Sequence, residues 1–283
     1  MITLAAIQRN HPPSPEENRD RSETAIRGAA GAGANIILLS ELFEGPYFCK
    51  TQTESPFALA APWKDHPLQQ RFAPLARELK VVLPISFYER AGQTCFDSVA
   101  ILDADGETLG IYRKSHIPQG PGYEEKFYFS PGDSGFKVWQ TRYGRIGVGI
   151  CWDQWFPEAA RCMALMGAEM LLYPTAIGSE PERAGYDSCD HWQTTQRGHA
   201  AANMMPLVAA NRVGTETQEG REMTFYGSSF IAGPHGEFLA RASRDKEEIL
   251  LAEIDPAAIA TERMGWGLFR DRRPDLYGAL GGY

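Results

Sequence analysis

The sequence predicts an α/β fold in which helices cover the outer faces of mixed β-sheets. Strand-sized apolar runs and helix-like runs interleave from end to end, several of them in βα alternation, and one pair of runs is joined as a hairpin. Leu4–Ile7 is a short apolar strand. Pro15–Ala30 is a helix whose Glu, Arg and Ala residues give way to glycines that stop it. Ile36–Ser40 reads as a buried strand, and the amphipathic helix Pro67–Lys80 runs into the apolar stretch Val81–Ser86. Ser98–Leu102 and Thr108–Tyr112 flank Asp103-Ala104-Asp105-Gly106-Glu107, a hairpin turn. Arg145–Ile150 is a glycine-spaced strand, and the helix Phe156–Met166 has Pro157 in its first turn and Gly167 at its end. Met170–Tyr173 and Leu207–Asn211 are strands separated by a helix over Asp190–Met204, and Gly227–Ile231 and Ile249–Ile254 complete the strand set.

Composition narrows the function classes. The 283 residues carry 28 Lys+Arg against 36 Asp+Glu, a net charge of −8. Nucleic acids and anionic membranes both call for a basic footprint, so neither is an expected partner. Hydrophobic residues make up 43 % of the chain, enough for a sizeable core. No basic-then-apolar leader opens the sequence, and its apolar runs are strand-sized rather than membrane-sized. Five scattered cysteines without a C-x-x-C fit reduced thiols in a cytoplasmic protein. No linker-like composition shift interrupts the chain, which reads as one domain over 1–283. The stretch 265–283, with Trp266, Leu268, Phe269, Leu276 and Tyr277 among arginines, reads as an arm that wraps the surface or reaches a second subunit.

Several chemistries are missing. There is no phosphate-cradling G-x-x-x-x-G-K-[ST], and the six histidines show neither H-E-x-x-H nor zinc spacing, so no cofactor and no metal are expected. His191 and His199 share a helix face, where satisfied polar histidines are expected. Ser134, in Gly132-Asp133-Ser134-Gly135, and Ser228, in Gly227-Ser228-Ser229, echo serine-hydrolase strings, but each lacks the surroundings such enzymes need. Cys151 stands out. It follows the buried run Ile146–Ile150 and precedes a polar-aromatic turn into a helix, so it is presented at a sheet's carboxyl edge beside free backbone N–H groups. A catalytic thiol needs a base or a cation nearby. Glu41 lies just past Ile36–Ser40, and Lys114 just past Thr108–Tyr112, both also at strand ends. Cys49, Cys162 and Cys189 have no such setting and are expected to be structural, with Cys162 packed into the core.

The strings Leu39-Ser40-Glu41-Leu42-Phe43, Tyr112-Arg113-Lys114-Ser115-His116 and Gly149-Ile150-Cys151-Trp152-Asp153 resemble the three signatures of the nitrilase superfamily, and the resemblance spans almost the whole chain. It implies a four-layer αββα sandwich and a Glu41–Lys114–Cys151 triad, with Glu125 as a second glutamate because Lys126 and Phe127 follow it. The segments Ile117–Asp133, Cys151–Arg161 and Tyr173–Pro181 are most similar to members of that family acting on N-carbamoylputrescine. The implied activity is cleavage of the terminal carbamoyl C–N bond, giving putrescine, carbon dioxide and ammonia. In that chemistry Glu41 is the general base, Cys151 the nucleophile that forms a thioester, and Lys114 with the Trp152 N–H the oxyanion donors. A cationic tail calls for an anion and aromatic walls, here Glu180, backed by Asp187 and Asp190, with Tyr47, Tyr123 and Trp152. Carboxylate substrates such as N-carbamoyl-β-alanine or an N-carbamoyl amino acid would need arginines instead, with Arg183 and Arg197 as candidates. The expected partners are thus a small cationic carbamoyl-amine and further copies of the chain, in a dimer or larger homo-oligomer. A non-catalytic scaffold would lack a triad member, and a serine hydrolase would ignore thiol alkylation.

Overall fold

The computed structural model describes residues 1–180, 182–183 and 185–282. Two β-sheets pack face to face between two layers of helices. Strand β1 (Ile2–Gln8) opens the first sheet and pairs in parallel with β2 (Ile36–Leu38), Leu4 opposite Ile36. A parallel bridge from Ile36 to Val82 extends the sheet into the meander β3 (Leu83–Ala91), β4 (Thr94–Leu102) and β5 (Thr108–Arg113). The second sheet contains β6 (Val138–Thr141), β7 (Gly144–Val148), β8 (Met170–Pro174) and β9 (Leu207–Ala210), then β12 (Phe230–Ala232) and β13 (Phe238–Arg241) on the far edge. Between them, β10 (Val213–Gln218) and β11 (Arg221–Tyr226) make a separate hairpin. The last strand, β14 (Glu248–Ile254), returns antiparallel to β1.

Helices α1 (Pro15–Gly31) and α2 (Pro67–Leu79) cover the first sheet, and α3 (Pro157–Leu165) and α4 (Cys189–Asn203) cover the second. Period-two alternation sends Leu4, Ala6, Val99 and Ile101 toward Ile146, Val148, Met170 and Leu172, which form the inter-sheet core. The other face of the first sheet, with Ala5, Ile37, Ile85 and Ala100, meets Ile26 of α1 and Phe72 of α2. The result is an αββα sandwich. Local chemistry sets the helix starts: the Ser14 hydroxyl accepts from the Glu17 N–H (3.2 Å), and Pro15 sits where no amide is needed.

The structure differs from the sequence expectations in several places. The hairpin foreseen at Asp103–Glu107 is present, but β4 begins at Thr94 and is also joined to β3 through Gly92 (φ +64°), so three strands form a meander. Four further strands, β6, β10, β11 and β13, and the helix α5 (Pro256–Trp266) were not foreseen. Cys162 is exposed, because α3 turns Ala159, Ala160, Met163 and Ala164 inward and 162 falls on the opposite side. The expected arm starts at the end of α5 and continues through turns at Pro274–Leu276 and Gly278–Gly281; its last residue, Tyr283, lies outside the described residues.

Candidate active site

Glu41, Lys114 and Cys151 leave the carboxyl ends of β2, β5 and β7 and come together where the two sheets meet. The Lys114 ammonium donates to Glu41 Oε1 (2.6 Å) and to Glu125 Oε2 (2.6 Å), and it lies 3.4 Å from Asp97 Oδ2. All four side chains are fully buried. Glu124, the neighbour that also precedes a lysine-containing run, instead accepts from Gln52 and Gln119 near the surface. The oxygens of Glu41, Asp97 and Glu125 lie within 4.8 Å of one another, a spacing that suits a cation. The cation there is the Lys114 ammonium.

Backbone geometry holds these groups in place. The turn Cys151–Trp155 starts with Cys151 at φ +42°, a left-handed conformation that a non-glycine residue adopts only when its surroundings enforce it. Asp153 does the enforcing. Its carboxylate accepts from the Ile150 N–H (2.9 Å), the His116 N–H (3.0 Å) and the Tyr112 hydroxyl (2.7 Å), tying the Cys151 turn to the exit of β5. The Trp152 N–H sits one residue before the turn's first internal bond, from Asp153 N–H to Ile150 O (2.9 Å), as the first amides of any helical turn do. Under Lys114, Gly132 packs so tightly that a Cβ would lie 2.1 Å from the Arg113 carbonyl oxygen.

Electrostatics assigns protonation states. Burial, reinforced by the Glu41 charge, pushes the Cys151 thiol well above its usual range, so Cys151 rests as a neutral thiol. Its sulfur lies 3.7 Å from the Ala176 carbonyl oxygen. Burial opposes the Lys114 charge, but the surrounding carboxylates, Glu125 and Glu41 foremost, outweigh it and keep the ammonium. Glu125 is pushed up to about 7 by burial, in part offset by Lys114.

The other expected residues divide. A cavity of ≈ 340 Å³ opens at Cys151, lined by Tyr123, Trp152, Ile177, Glu180 and Arg183. Tyr123 is a wall as expected, its hydroxyl accepting from the Gly178 N–H (2.9 Å), and Trp152 stands at the mouth, 39 % exposed. Glu180 reaches the cavity on a loop pinned to β11 by the Ser179 N–H and Thr224 O (2.7 Å). Burial raises its carboxyl, and Arg183 partly counters the effect. Pro181, the end of the segment foreseen there, lies outside the described residues.

Tyr47 is not a wall. It is fully buried behind the site, where its hydroxyl donates to Glu125 Oε1 (2.6 Å), so the glutamate stands between it and the lysine. Asp187 pairs with Arg244 (2.9 Å), Asp190 is exposed at the start of α4, and neither lines the cavity. Arg197 donates to the Gly236 carbonyl oxygen (2.5 Å) and stacks on Phe238, which removes it from the carboxylate-binding candidates. Ser134 serves its turn, accepting from the Arg113 N–H (3.2 Å), and Ser228 donates to the Tyr226 carbonyl oxygen (3.0 Å).

Several side chains escaped sequence reasoning. His191 and Trp155 line the cavity, with ring centroids 4.8 Å apart; His199, by contrast, bonds the Gln154 carbonyl oxygen (2.8 Å). Arg212 lies under the site. It donates to the Glu41 and Leu42 carbonyl oxygens (2.7 and 3.1 Å) and pairs with Glu216 (2.7 Å). Glu216 also accepts from Lys50 (3.0 Å) and the Tyr47 N–H (2.6 Å). Cys49 is buried where burial and Glu125 push its thiol up while Lys114 pulls it down, so a cation and a carboxylate do neighbour it.

The profile of the carbon-nitrogen hydrolase family matches residues 3–263. A Solanum tuberosum protein named N-carbamoylputrescine amidase is 57 % identical over 284 residues, covering 99 % of this chain and 95 % of that one. A Francisella tularensis protein named Citrullinase is 53 % identical, covering 98 % and 96 %. The crystal structure of a carbon-nitrogen hydrolase from Helicobacter pylori superposes with a TM-score of 0.94 at 41 % identity, covering 99 % and 98 %. On this evidence the chain belongs to the carbon-nitrogen hydrolase family.

Proposed function

We propose that the protein hydrolyses the terminal carbamoyl C–N bond of N-carbamoylputrescine, releasing ammonia, carbon dioxide and putrescine. The observation that carries this reading is a single cavity lined by both Cys151 and Glu180, a thiol and an anion facing the same space. Relatives named N-carbamoylputrescine amidase at 57 % identity support it. As the carbamoyl group seats, Glu41 takes the thiol proton and Cys151 Sγ attacks the carbonyl carbon. Lys114 and the Trp152 N–H receive the oxyanion. The C–N bond breaks, Glu41 returns its proton to the departing ammonia, and a carbamoyl thioester remains. Water then attacks with Glu41 again as base, and the carbamic acid divides into amine and carbon dioxide.

A second substrate reading has its own observation. Arg183 lines the same cavity as Glu180, so its wall offers both signs of charge, which suits the ammonium and carboxylate of an α-amino acid such as citrulline. The relative named Citrullinase supports it. In either case we infer a homo-oligomer working in the cytoplasm. In favour of these are the exposed Met264, Trp266, Leu276 and Leu280 near the C-terminus, and five cysteines that are all free. No helix among the described residues is long and apolar enough to cross a membrane.

The deciding experiment measures ammonia release by wild type and Cys151→Ala, offered N-carbamoylputrescine, citrulline and N-carbamoyl-β-alanine side by side. Preference for the first with loss in the variant is the expected result. Preference for citrulline selects the second reading, and activity surviving in Cys151→Ala overturns the mechanism.

A further inference from the structure

The buried cluster around Lys114 has more negative charge than its single cation can neutralise. Glu41, Glu125 and Asp97 are all fully buried, and with the ammonium of Lys114 their formal sum is −2 if every carboxyl is ionised. Two of the three carboxylates are well served. Lys114 sits 2.6 Å from an oxygen of each, and Glu125 also accepts from Tyr47. Asp97 is not. Neither of its oxygens has a hydrogen-bond partner, and Glu41 Oε2 likewise has none. An ionised carboxylate buried without a donor is costly, and the usual remedy is a proton.

We propose that Asp97 is the positioning residue of the site: a neutral carboxylic acid whose proton is shared with the orphaned Oε2 of Glu41, holding that base in place and limiting the cluster to one net negative charge. One proton serves an orphaned oxygen of Asp97 and the orphaned Oε2 of Glu41 at once, as in paired carboxyls elsewhere. Asp97 is placed for this by β4, whose backbone oxygen at Asp97 accepts from the Lys114 N–H (2.9 Å). Burial and the Glu41 charge push its carboxyl well above the usual carboxylate range, which Lys114 only partly counters. The other titratable groups facing it are Glu125 and Cys49, and Tyr88 is its cross-strand partner on β3. None of these replaces the proton.

The consequence for catalysis follows by sign. At alkaline pH Asp97 loses its proton, its bond to Glu41 Oε2 gives way to the repulsion of two buried carboxylates, and Glu41 is pushed away from its place beside the Cys151 thiol. Activity falls on that side. Asp97→Asn has the same shape, stays neutral, and offers an amide N–H to Glu41 in place of the acid.

This inference rests on the hydrolase reading, so its test includes a readout independent of turnover. Infrared difference spectroscopy on the full chain at neutral pH should show, in wild type and in Glu125→Gln alike, the C=O stretch of a protonated carboxylic acid that Asp97→Asn removes; Glu125→Gln sets aside the carboxyl that titrates at about 7. In ammonia-release assays Asp97→Asn should keep kcat within about threefold of wild type near neutrality, while its alkaline limb moves to higher pH. Asp97→Leu, which removes both donor and acceptor, should lose activity at every pH. Absence of the infrared band, superimposable pH profiles, or a hundredfold loss in Asp97→Asn at neutral pH would each overturn the proposal. An inactive wild type that still shows the band would sink the substrate assignment and leave Asp97 protonated.

Discussion

The guanidinium of Arg212 lies 2.7 Å from the backbone oxygen of Glu41, so the proposed general base is held from beneath by a side chain that does not line the cavity. The same guanidinium faces the rings of Phe225 and Tyr47 (5.2 and 5.7 Å) and pairs with Glu216. A planar fork does this and a lysine cannot. Arg212→Lys should therefore lower kcat on the order of 10²-fold through misplacement of Glu41, with KM changed far less. Steady-state kinetics on the preferred substrate checks it; a KM effect without a kcat effect refutes it.

Glu125 gives a stability signature. Its folded pKa is about 7 against an ordinary 4.5, so the folded chain holds a proton there that the unfolded chain has released. That contribution is fully present below about 4.5 and is lost as pH rises through about 7, up to about 3 kcal/mol in all. Glu125→Gln cannot ionise. Its melting temperature relative to wild type should thus improve between pH 5 and pH 8, even though the variant loses activity. Parallel melting curves across that range would show that Glu125 does not carry the shift.

How much of this was legible in the sequence depends on the range of the interactions. The meeting of Glu41, Lys114 and Cys151 was readable because each follows the end of a strand, and a strand end is a local pattern. Glu125 was picked from Glu124 only by its neighbours in sequence; the structure separates them by burial. Arg212, Asp97 and the true place of Tyr47 were invisible, since each acts through partners dozens of residues away, such as Tyr47 on Glu125. Some misses were readable. Asp255 caps α5 by accepting from Ala257 and Ala258, Pro256 follows it, and Gly267 (φ +81°) ends the helix, all standard start and stop signals. The Glu219-Gly220 turn, both residues at positive φ, marks a tight hairpin between β10 and β11. The four-residue β6 and β13 carry too few residues for alternation to show.

Glu180 should act on binding alone, because it lines the cavity on the loop pinned to β11 and is no part of the Lys114 cluster. Glu180→Gln keeps size and removes charge, so a charge-assisted contact of about 1.5–3 kcal/mol to the distal ammonium is lost. The KM for N-carbamoylputrescine should rise about 10- to 100-fold with kcat nearly unchanged. N-Butylurea, which keeps the carbamoyl group and stem but has no ammonium, is the control: its KM should not move. Equal shifts for both substrates would make Glu180 a wall rather than a selector.

The C-terminal segment should decide assembly. Helix α5 buries none of its residues within one chain, and Met264 (80 % exposed) and Trp266 (69 %) project from it. Apolar side chains of that size contribute about 1.5–3 kcal/mol each when fully buried, so leaving a cluster in water is costly unless another copy covers it. The site lies between the sheets and draws nothing from this helix. The pair Met264→Asp and Trp266→Asp should reduce the particle in sedimentation velocity to the 31.4 kDa of one chain while leaving the αββα fold intact by circular dichroism. A wild type that already sediments as one chain would remove the case for the arm as an interface, and an oligomer unaffected by the double variant would place the interface on another face.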